Sequence, residues 1–147
     1  MNFTEFKLNA QILSGVKELG YETATPIQEK AIPSILAGLD VVGTAQTGTG
    51  KTAAFALPLL QRLMDGPRGQ LRGLILAPTR ELAEQIRQSI DRLAIRTGLR
   101  CTAIYGGANL VKQYQILRRG VDIVIACPGR LLDHINRGNI NLTQVEV

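Results

Sequence analysis

Short apolar runs alternate along residues 40–138 with stretches whose apolar side chains recur at helical spacing. The apolar runs predict β-strands over 40–44, 73–77, 100–105 and 121–126, and the other stretches predict helices over 50–64, from residue 79 to about 93, over 109–119 and over 129–138. A parallel sheet covered by helices on both faces produces this alternation, because its strands are apolar throughout. The sequence therefore predicts an α/β fold built on a doubly wound parallel sheet.

The first 38 residues lack the alternation and predict two short helices. Asn9 is suited to cap the first helix, and the Thr25-Pro26 pair is suited to begin the second, because proline fits the first helical turn. Pro33 should break or kink that second helix. We therefore divide the chain into a helical region, residues 1–38, and a strand–helix core, residues 39–147.

Composition excludes several classes of protein. Of the 147 residues, 45% are apolar and 20% are charged, so the chain can bury a core and is not expected to be disordered. The longest apolar run is Ala53–Leu60, far shorter than the ~20 residues that span a bilayer, so we expect no membrane partner. Cys101 and Cys127 lie far apart and form no CxxC pair, which argues against a disulfide scaffold and a zinc site and fits a reducing cytoplasm.

The positive charge is concentrated in the second part of the chain. Residues 1–60 carry four lysines against five acidic residues, whereas residues 61–147 carry twelve arginines and one lysine against seven acidic residues. Arginine is the side chain best suited to bidentate phosphate contacts. This imbalance favours a polyanionic partner, although it also fits a role in solubility alone.

The sharpest motif follows the first predicted strand and opens a helix. It consists of Ala45, Gln46, Thr47, Gly48, Thr49, Gly50, Lys51 and Thr52. Glycines in such a loop let successive backbone N–H groups face one anion, and the helix N-terminus adds partial positive charge. Lys51 can reach the β- and γ-phosphates of a nucleotide, and the Thr52 hydroxyl can ligate Mg²⁺. The alternative is a glycine-rich turn in which Gly-Lys-Thr occurs by chance.

A phosphate loop usually works with a carboxylate at the end of a neighbouring strand, which holds Mg²⁺ through water. No predicted strand provides one, because Asp122 stands at the start of its strand and therefore at the opposite edge of the sheet. The final residues, 144–147, look like the opening of a fifth strand. We expect the domain to be incomplete at its C-terminus and the carboxylate to lie beyond Val147; a degenerate site is the alternative.

The segment Gly20–Gln28 suggests a base-recognition site. The amide of Gln28 places a donor beside an acceptor, which matches the N6 and N7 edge of adenine, and Tyr21 could stack on the base. The alternative for Gln28 is an exposed glutamine on a helix.

Together these segments make the chain resemble the first RecA-like domain of DEAD-box RNA helicases. Gly20–Gln28 looks like the adenine-reading Q motif of that family, and Phe3 stands where the family places an isolated upstream aromatic. Ala45–Thr52 is similar to motif I. Three further motifs follow in order: Pro78, Thr79 and Arg80 with Glu81 and Leu82 (motif Ia), Gly106 and Gly107 (the GG motif), and Cys127 with Pro128, Gly129 and Arg130 (motif Ib). The resemblance covers all 147 residues. It departs from the family at Cys127, where a threonine is usual, and it lacks the DEAD motif, the Ser-Ala-Thr motif and a second domain.

The resemblance implies that the last three motifs bind RNA. Backbone N–H groups at the helix N-termini near Thr79 and Gly129 can hold phosphate without reading bases, and Gly106-Gly107 allows close approach of a sugar–phosphate chain. Arg80 and Arg130 can add charge. Alternatively, Arg80 pairs with Glu81 and Arg130 pairs with Asp133 within the protein. His134 belongs to no motif, and we expect it on the surface of a helix.

The family implies an ATP-dependent RNA helicase whose working unit couples ATP hydrolysis to local duplex unwinding. This chain would bind ATP or ADP with Mg²⁺ and contact RNA without sequence preference, while a second RecA-like domain is expected beyond Val147. We do not expect the chain alone to hydrolyse ATP. One alternative is a non-enzymatic nucleotide- or RNA-binding module. Another is a DNA helicase or a different phosphate-loop ATPase, and the Gln28 segment argues against this second alternative.

Overall fold

Helices and strands alternate over most of the chain, as the hydrophobic pattern predicts. The computed structural model describes residues 1–147. A short 3₁₀ helix over Phe3–Phe6 precedes α1 (Ala10–Glu18), α2 (Pro26–Leu36), α3 (Lys51–Met64), β1 (Gly73–Leu76), α4 (Arg80–Leu93), β2 (Cys101–Ile104), α5 (Leu110–Arg119), β3 (Ile123–Ala126) and α6 (Pro128–Asn136). The chain divides into two units, Met1–Asp65 with Arg92–Gly98, and Gly66–Asp91 with Leu99–Val147, and each is described by itself. No helix is both long enough and apolar enough to cross a membrane.

The first unit is helical. Asn9 caps α1 as expected, its side chain accepting a hydrogen bond from the Gln11 amide at 2.9 Å. Helix α2 starts at Pro26 as predicted but continues through Pro33 to Leu36, so the proline does not end it. The 3₁₀ helix, which the sequence pattern did not predict, buries Phe3 and Phe6.

The predicted strand over 40–44 is wrong. These residues form no strand, and their side chains are exposed, with Val42 97% accessible. A β-strand is stable only where a neighbouring strand completes its backbone hydrogen bonds, and no strand of this chain pairs with residues 40–44. Apolar, β-branched composition alone is therefore insufficient at this position.

The second unit contains a parallel sheet in the order β1-β3-β2. The register sets Leu76 and Ile104 each beside Ala126, so the carboxyl ends of the three strands lie at one edge. Strand β3 is central and its four residues are fully buried. The core around it contains Ile104, Val121, Val124, Ala126 and Leu131, with Leu71, Leu74, Leu117 and Ile140 packed against it. This arrangement confirms the α/β fold with a parallel sheet.

The C-terminal residues lie beside β1. The Val147 amide donates to the Arg72 carbonyl oxygen and the Val147 carbonyl oxygen accepts from the Leu74 amide at 2.9 Å, as in parallel strands. The buried Arg72 side chain binds the carboxylate of Glu146, with Nη2 2.8 Å from Oε2. At the amino edge of the sheet, the buried carboxylate of Asp122 accepts from the amides of Gly69 and Arg100, so Asp122 is a structural cap for two loops.

Candidate functional site

The loop 45–50 wraps the N-terminus of α3. Gly48 and Gly50 have φ values of 79° and 85°, in the left-handed region that glycine adopts without strain. Helix α3 begins directly afterwards at Lys51, so the free N–H groups of its first turn face the loop. A turn of this kind leading into a helix N-terminus is an anion-binding geometry.

The two polar side chains at the start of α3 differ in their contacts. The Lys51 ammonium donates to the carbonyl oxygen of Ala45 and lies 3.4 Å from that of Gln46. Thr49 also donates to Gln46, its Oγ1 lying 2.7 Å from the carbonyl oxygen. The hydroxyl of Thr52 makes no hydrogen bond within the protein, so it is available to a ligand.

Two side chains of the α2 N-terminus hold this loop. Thr25 Oγ1 donates to the Thr49 carbonyl oxygen at 2.8 Å, and Gln28 Nε2 donates to the Gly50 carbonyl oxygen at 3.1 Å. The Gln28 oxygen accepts from the Thr25 amide at 2.9 Å, and the side chain is buried. A Cβ at position 50 would lie 2.4 Å from Gln28 Nε2 and would displace that amide, and the φ of 85° at this position also favours glycine. Gln28 is thus a buried linker between α2 and the loop rather than an exposed helix glutamine.

The aromatic residues expected near a base lie together at the N-terminus. The Phe3 and Tyr21 rings are stacked with centroids 6.1 Å apart; Phe3 is buried and Tyr21 is 43% exposed. An isolated β-bridge between Asn2 and Thr23 holds the N-terminal residues beside the Gly20–Gln28 segment. These contacts place both rings beside that segment, with only Tyr21 open to solvent.

The second unit exposes three loops at the carboxyl edge of its sheet. They carry Pro78, Thr79 and Arg80 after β1, Gly106 and Gly107 after β2, and Pro128 and Gly129 after β3, all of them exposed. Thr79 caps α4, its Oγ1 accepting from the Leu82 amide at 3.2 Å. Helix α6 begins at Pro128, one residue earlier than predicted. The structure thus brings three predicted motifs to one surface.

Arg80 forms no ion pair with Glu81. Its guanidinium lies over the ring of Tyr105, 4.9 Å from the centroid, and the Tyr105 hydroxyl donates to Glu84 at 2.8 Å. This hydrogen bond to a carboxylate raises the pKa of Tyr105. A Cβ at Gly107 would lie 3.6 Å from Arg80 Nη1, so the guanidinium stands beside the two glycines.

Cys127 is the N-terminal cap of α6, but its side chain makes no capping bond. Its amide donates to the Ile104 carbonyl oxygen at 2.9 Å. The backbone N–H of Cys127 is therefore already used within the sheet, and the first donors of α6 open to a ligand belong to Gly129 and Arg130.

Arg130 and His134 are placed differently from expectation. The Arg130 guanidinium donates to the Ala108 carbonyl oxygen at 2.9 Å and to Gln113 Oε1 at 3.1 Å, and lies 3.5 Å from Asp133. Only 13% of its side chain is exposed, which favours the intramolecular interpretation of this arginine. The expectation that His134 lies on the surface is wrong: it is fully buried and hydrogen-bonded.

Sequence reasoning missed Thr25 as a contact of the phosphate loop, and it missed Tyr105 and Gln113. For Gln113 a signal existed, because Leu110, Gln113 and Leu117 share one face of α5 at helical spacing. A polar residue on an apolar stripe indicates a buried hydrogen-bonded group.

The first unit thus has a glycine-rich turn that opens a helix, and the second unit has a parallel sheet with three exposed loops at its carboxyl edge. A family model described as DEAD/DEAH box helicase matches residues 25–147. The chain belongs to the DEAD/DEAH box helicase family.

Individual relatives agree with this assignment. ATP-dependent RNA helicase CshA of Listeria monocytogenes is 46% identical over 144 residues, which are 98% of this chain and 28% of that protein. ATP-dependent rRNA helicase rrp3 of Emericella nidulans is 50% identical over 134 residues, 91% of this chain and 29% of that protein. The chain thus spans less than a third of the length of the curated relatives it matches.

Solved structures share the fold. The RNA helicase Prp28 from Chaetomium thermophilum bound to ADP has a TM-score of 0.89 and 42% identity, covering 98% of this chain and 36% of that one. A DEAD box protein from Methanococcus jannaschii has the same TM-score and identity over 99% of this chain and 39% of its own. These neighbours confirm the RecA-like fold.

Proposed function

We propose that this chain is the ATP- and RNA-binding portion of an ATP-dependent RNA helicase that unwinds RNA duplexes locally. ATP dependence and RNA are what the names of the relatives print. In this proposal the full-length protein supplies the second RecA-like domain and the carboxylates that hold Mg²⁺, so the chain by itself does not hydrolyse ATP.

The observation that carries the proposal is the hydrogen bond from Gln28 Nε2 to the Gly50 carbonyl oxygen. It links the proposed adenine reader to the phosphate loop through a single side chain. The amide retains one further hydrogen on Nε2 and one further lone pair on Oε1, because each atom makes only one of its two possible bonds here. The hydrogen can be donated to adenine N7, and the lone pair can accept from the adenine N6 amino group.

Phosphate binding at the loop is proposed as an exchange of partners. The Lys51 ammonium leaves the carbonyl oxygens of Ala45 and Gln46 for the phosphate oxygens, while the backbone amides of the loop and of α3 donate to the same anion. The free Thr52 hydroxyl fits Mg²⁺, which accepts oxygen ligands and keeps several waters and phosphate oxygens beside few protein ligands. The ion would neutralise phosphate charge.

RNA binding is proposed at the carboxyl edge of the second unit. Thr79, Gly106, Gly107 and Gly129 present backbone groups there, with the α4 and α6 N-termini favouring phosphate. Pro78 and Pro128 begin two of these loops and have no backbone N–H to donate. Such contacts bind without sequence preference.

Two free cysteines are consistent with a reducing compartment, and we propose the cytoplasm.

The test uses the full-length protein and two substitutions. Lys51→Ala should abolish ATP-dependent separation of a short RNA duplex, because the phosphate loses its only side-chain cation in the loop. Gln28→Ala should weaken ATP and ADP by about tenfold or more beyond the loss it causes for GTP and GDP, since a paired donor and acceptor discriminates between bases by ~1–3 kcal/mol.

Thr25→Val is the matched control for Gln28→Ala. It removes the other hydrogen bond from α2 to the loop without altering the Gln28 amide. It should affect adenine and guanine nucleotides equally. An equal loss for both bases in Gln28→Ala would limit Gln28 to loop support, and unwinding by Lys51→Ala would contradict the phosphate contact of Lys51. Absence of ATP-dependent unwinding by the unsubstituted full-length protein would contradict the helicase proposal.

A further inference from the structure

A buried polar cluster joins α5 to α6 in the second unit. It consists of Gln113, Arg130, His134 and Asn139; Gln113 is 6% exposed and His134 is 0% exposed. Gln113 Oε1 lies 3.1 Å from Arg130 Nη1 and 3.0 Å from His134 Nε2, and the Asn139 amide nitrogen lies 3.1 Å from His134 Nδ1. None of these four side chains has an assigned task in nucleotide binding.

Arg130 determines the direction of the hydrogen bonds that meet at Gln113. A guanidinium only donates, so the Gln113 atom facing it must be the amide oxygen. His134 Nε2 therefore carries the hydrogen that it donates to the same oxygen, and Nδ1 accepts from the Asn139 amide. His134 is consequently neutral, and burial, together with the nearby charge of Arg130, lowers its pKa.

The remaining end of the Gln113 amide reaches the glycine loop, which we define as Tyr105–Ala108. Gln113 Nε2 donates to the Tyr105 carbonyl oxygen at 3.0 Å, and Arg130 donates to the Ala108 carbonyl oxygen at 2.9 Å. The cluster thus holds the glycine loop at both ends. Gly106 and Gly107 lie between these two bonds, exposed and without side chains to restrict them.

We propose that Gln113 is a positioning residue that holds the glycine loop in the conformation that receives the RNA backbone, and that His134 fixes the orientation of its amide. The proposal rests on the assignment of this loop to RNA in the proposed function. It gives Arg130 a role in shaping the loop from within, in place of a direct phosphate contact.

Gln113→Glu separates this role from packing. The carboxylate keeps two acceptors for Arg130 and His134, so the cluster remains paired, but it has no hydrogen to donate to the Tyr105 carbonyl oxygen. Gln115→Glu is the matched control, because it adds the same charge to an exposed position of the same helix.

Three measurements on the full-length protein test the proposal. Gln113→Glu should weaken single-stranded RNA binding by at least about fivefold relative to Gln115→Glu, as expected for loss of one hydrogen bond, with ADP affinity unchanged. The backbone ¹⁵N order parameters of Gly106 and Gly107 should decrease in Gln113→Glu alone, because the loop loses one of its two anchoring bonds. Carbon-13 labelled histidine should report a raised pKa for His134 in Gln113→Glu, which shows that the carboxylate occupies the cluster.

Unchanged order parameters at both glycines with the carboxylate in place would overturn the proposal, whether or not RNA binds. Failure of the unsubstituted protein to bind RNA would refute the proposed function instead, and the order parameters would still decide whether Gln113 positions the loop. Should Gln113→Glu not fold, His134→Leu, which removes the donor to the Gln113 oxygen, is expected to lower the same two order parameters. An unaltered loop in that variant would contradict the role of His134.

Discussion

Two arginines at the carboxyl edge of the sheet have opposite surroundings. Arg130 is nearly buried and uses its guanidinium on the Ala108 carbonyl oxygen and Gln113. Arg80 is exposed and lies on the ring of Tyr105, a contact worth about 0.5–1 kcal/mol at an exposed site. A phosphate can therefore replace solvent around Arg80 without breaking an internal ion pair.

We accordingly predict that Arg80→Ala weakens RNA binding by a similar factor for different sequences. Affinity decreases as salt concentration rises, and the magnitude of the slope of log affinity against log salt should decrease by about one, because one fewer phosphate charge is neutralised. Fluorescence titration of two unrelated single-stranded RNAs at several salt concentrations measures both quantities.

Arg118→Ala is the matched control for this charge loss. Arg118 is exposed at the C-terminal end of α5, away from the edge where α5 begins. Its removal should leave the salt slope almost unchanged. If both variants bind RNA as well as the unsubstituted protein does, Arg80 is not a phosphate contact.

At the scale of elements, Gly15 determines how closely α1 packs against the backbone of Leu93. A Cβ at Gly15 would lie 2.3 Å from the carbonyl oxygen of Leu93, which is backbone and cannot rotate away. Alanine gains ~1 kcal/mol over glycine in helix propensity, but forced displacement of a packed backbone costs about 1–3 kcal/mol. We predict that Gly15→Ala lowers the free energy of unfolding, by up to about 2 kcal/mol, which is the difference between these two contributions.

Urea unfolding followed by circular dichroism tests this prediction. Lys17→Ala, at an exposed position of the same helix, serves as the control, with an expected change within about 0.5 kcal/mol. A stabilised Gly15→Ala would show that α1 moves freely against residue 93.

Most elements could be predicted because their information is local. Helices α5 and α6 carry complete apolar stripes and their own stop signals, and β3 is apolar throughout. Residues 40–44 show the limit, since strand formation depends on a pairing partner that no local pattern specifies. Pro33 shows another limit: a proline removes one donor, but the helix persists through it.

In the candidate site too, features that depend on local sequence were predictable and features that depend on long-range contacts were not. The sequence sufficed to predict which segments carry glycines, lysine and helix N-termini, because these residue types have few roles in that spacing. It could not predict that Gln28 bonds to Gly50, or that His134 is buried. Those facts depend on contacts between residues 20 or more positions apart, and a lone histidine gives no indication of its depth.

For the whole molecule, His134 makes unfolding sensitive to pH. It is the chain's only histidine, and its pKa is lowered in the folded state, first by burial and then by Arg130, with Arg137 acting in the same direction and Asp133 opposing. The unfolded chain therefore binds a proton at higher pH than the folded protein. Stability is fully present above the unfolded pKa of about 6.5 and falls as the pH decreases through the folded pKa.

We predict a free energy of unfolding that decreases from pH 7.5 to pH 5.5, by at most about 1.4 kcal/mol per pH unit for one proton. In His134→Gln the value should be nearly constant over the same interval, whatever its absolute level. Urea unfolding at pH 7.5, 6.5 and 5.5 measures both slopes. A slope that is equal in the two proteins would place the responsible group elsewhere.

The contact of Lys51 with its own loop changes how selective the phosphate loop is. Its ammonium is already occupied by two carbonyl oxygens, so any anion must outcompete neutral dipoles that are covalently tethered and therefore always present. In the proposed function a chain of phosphates is suited to do so, because it engages several backbone donors at the same time, whereas a chloride ion engages few. On this proposal the loop would discriminate by valency, favouring a multivalent ligand over the small anions around it.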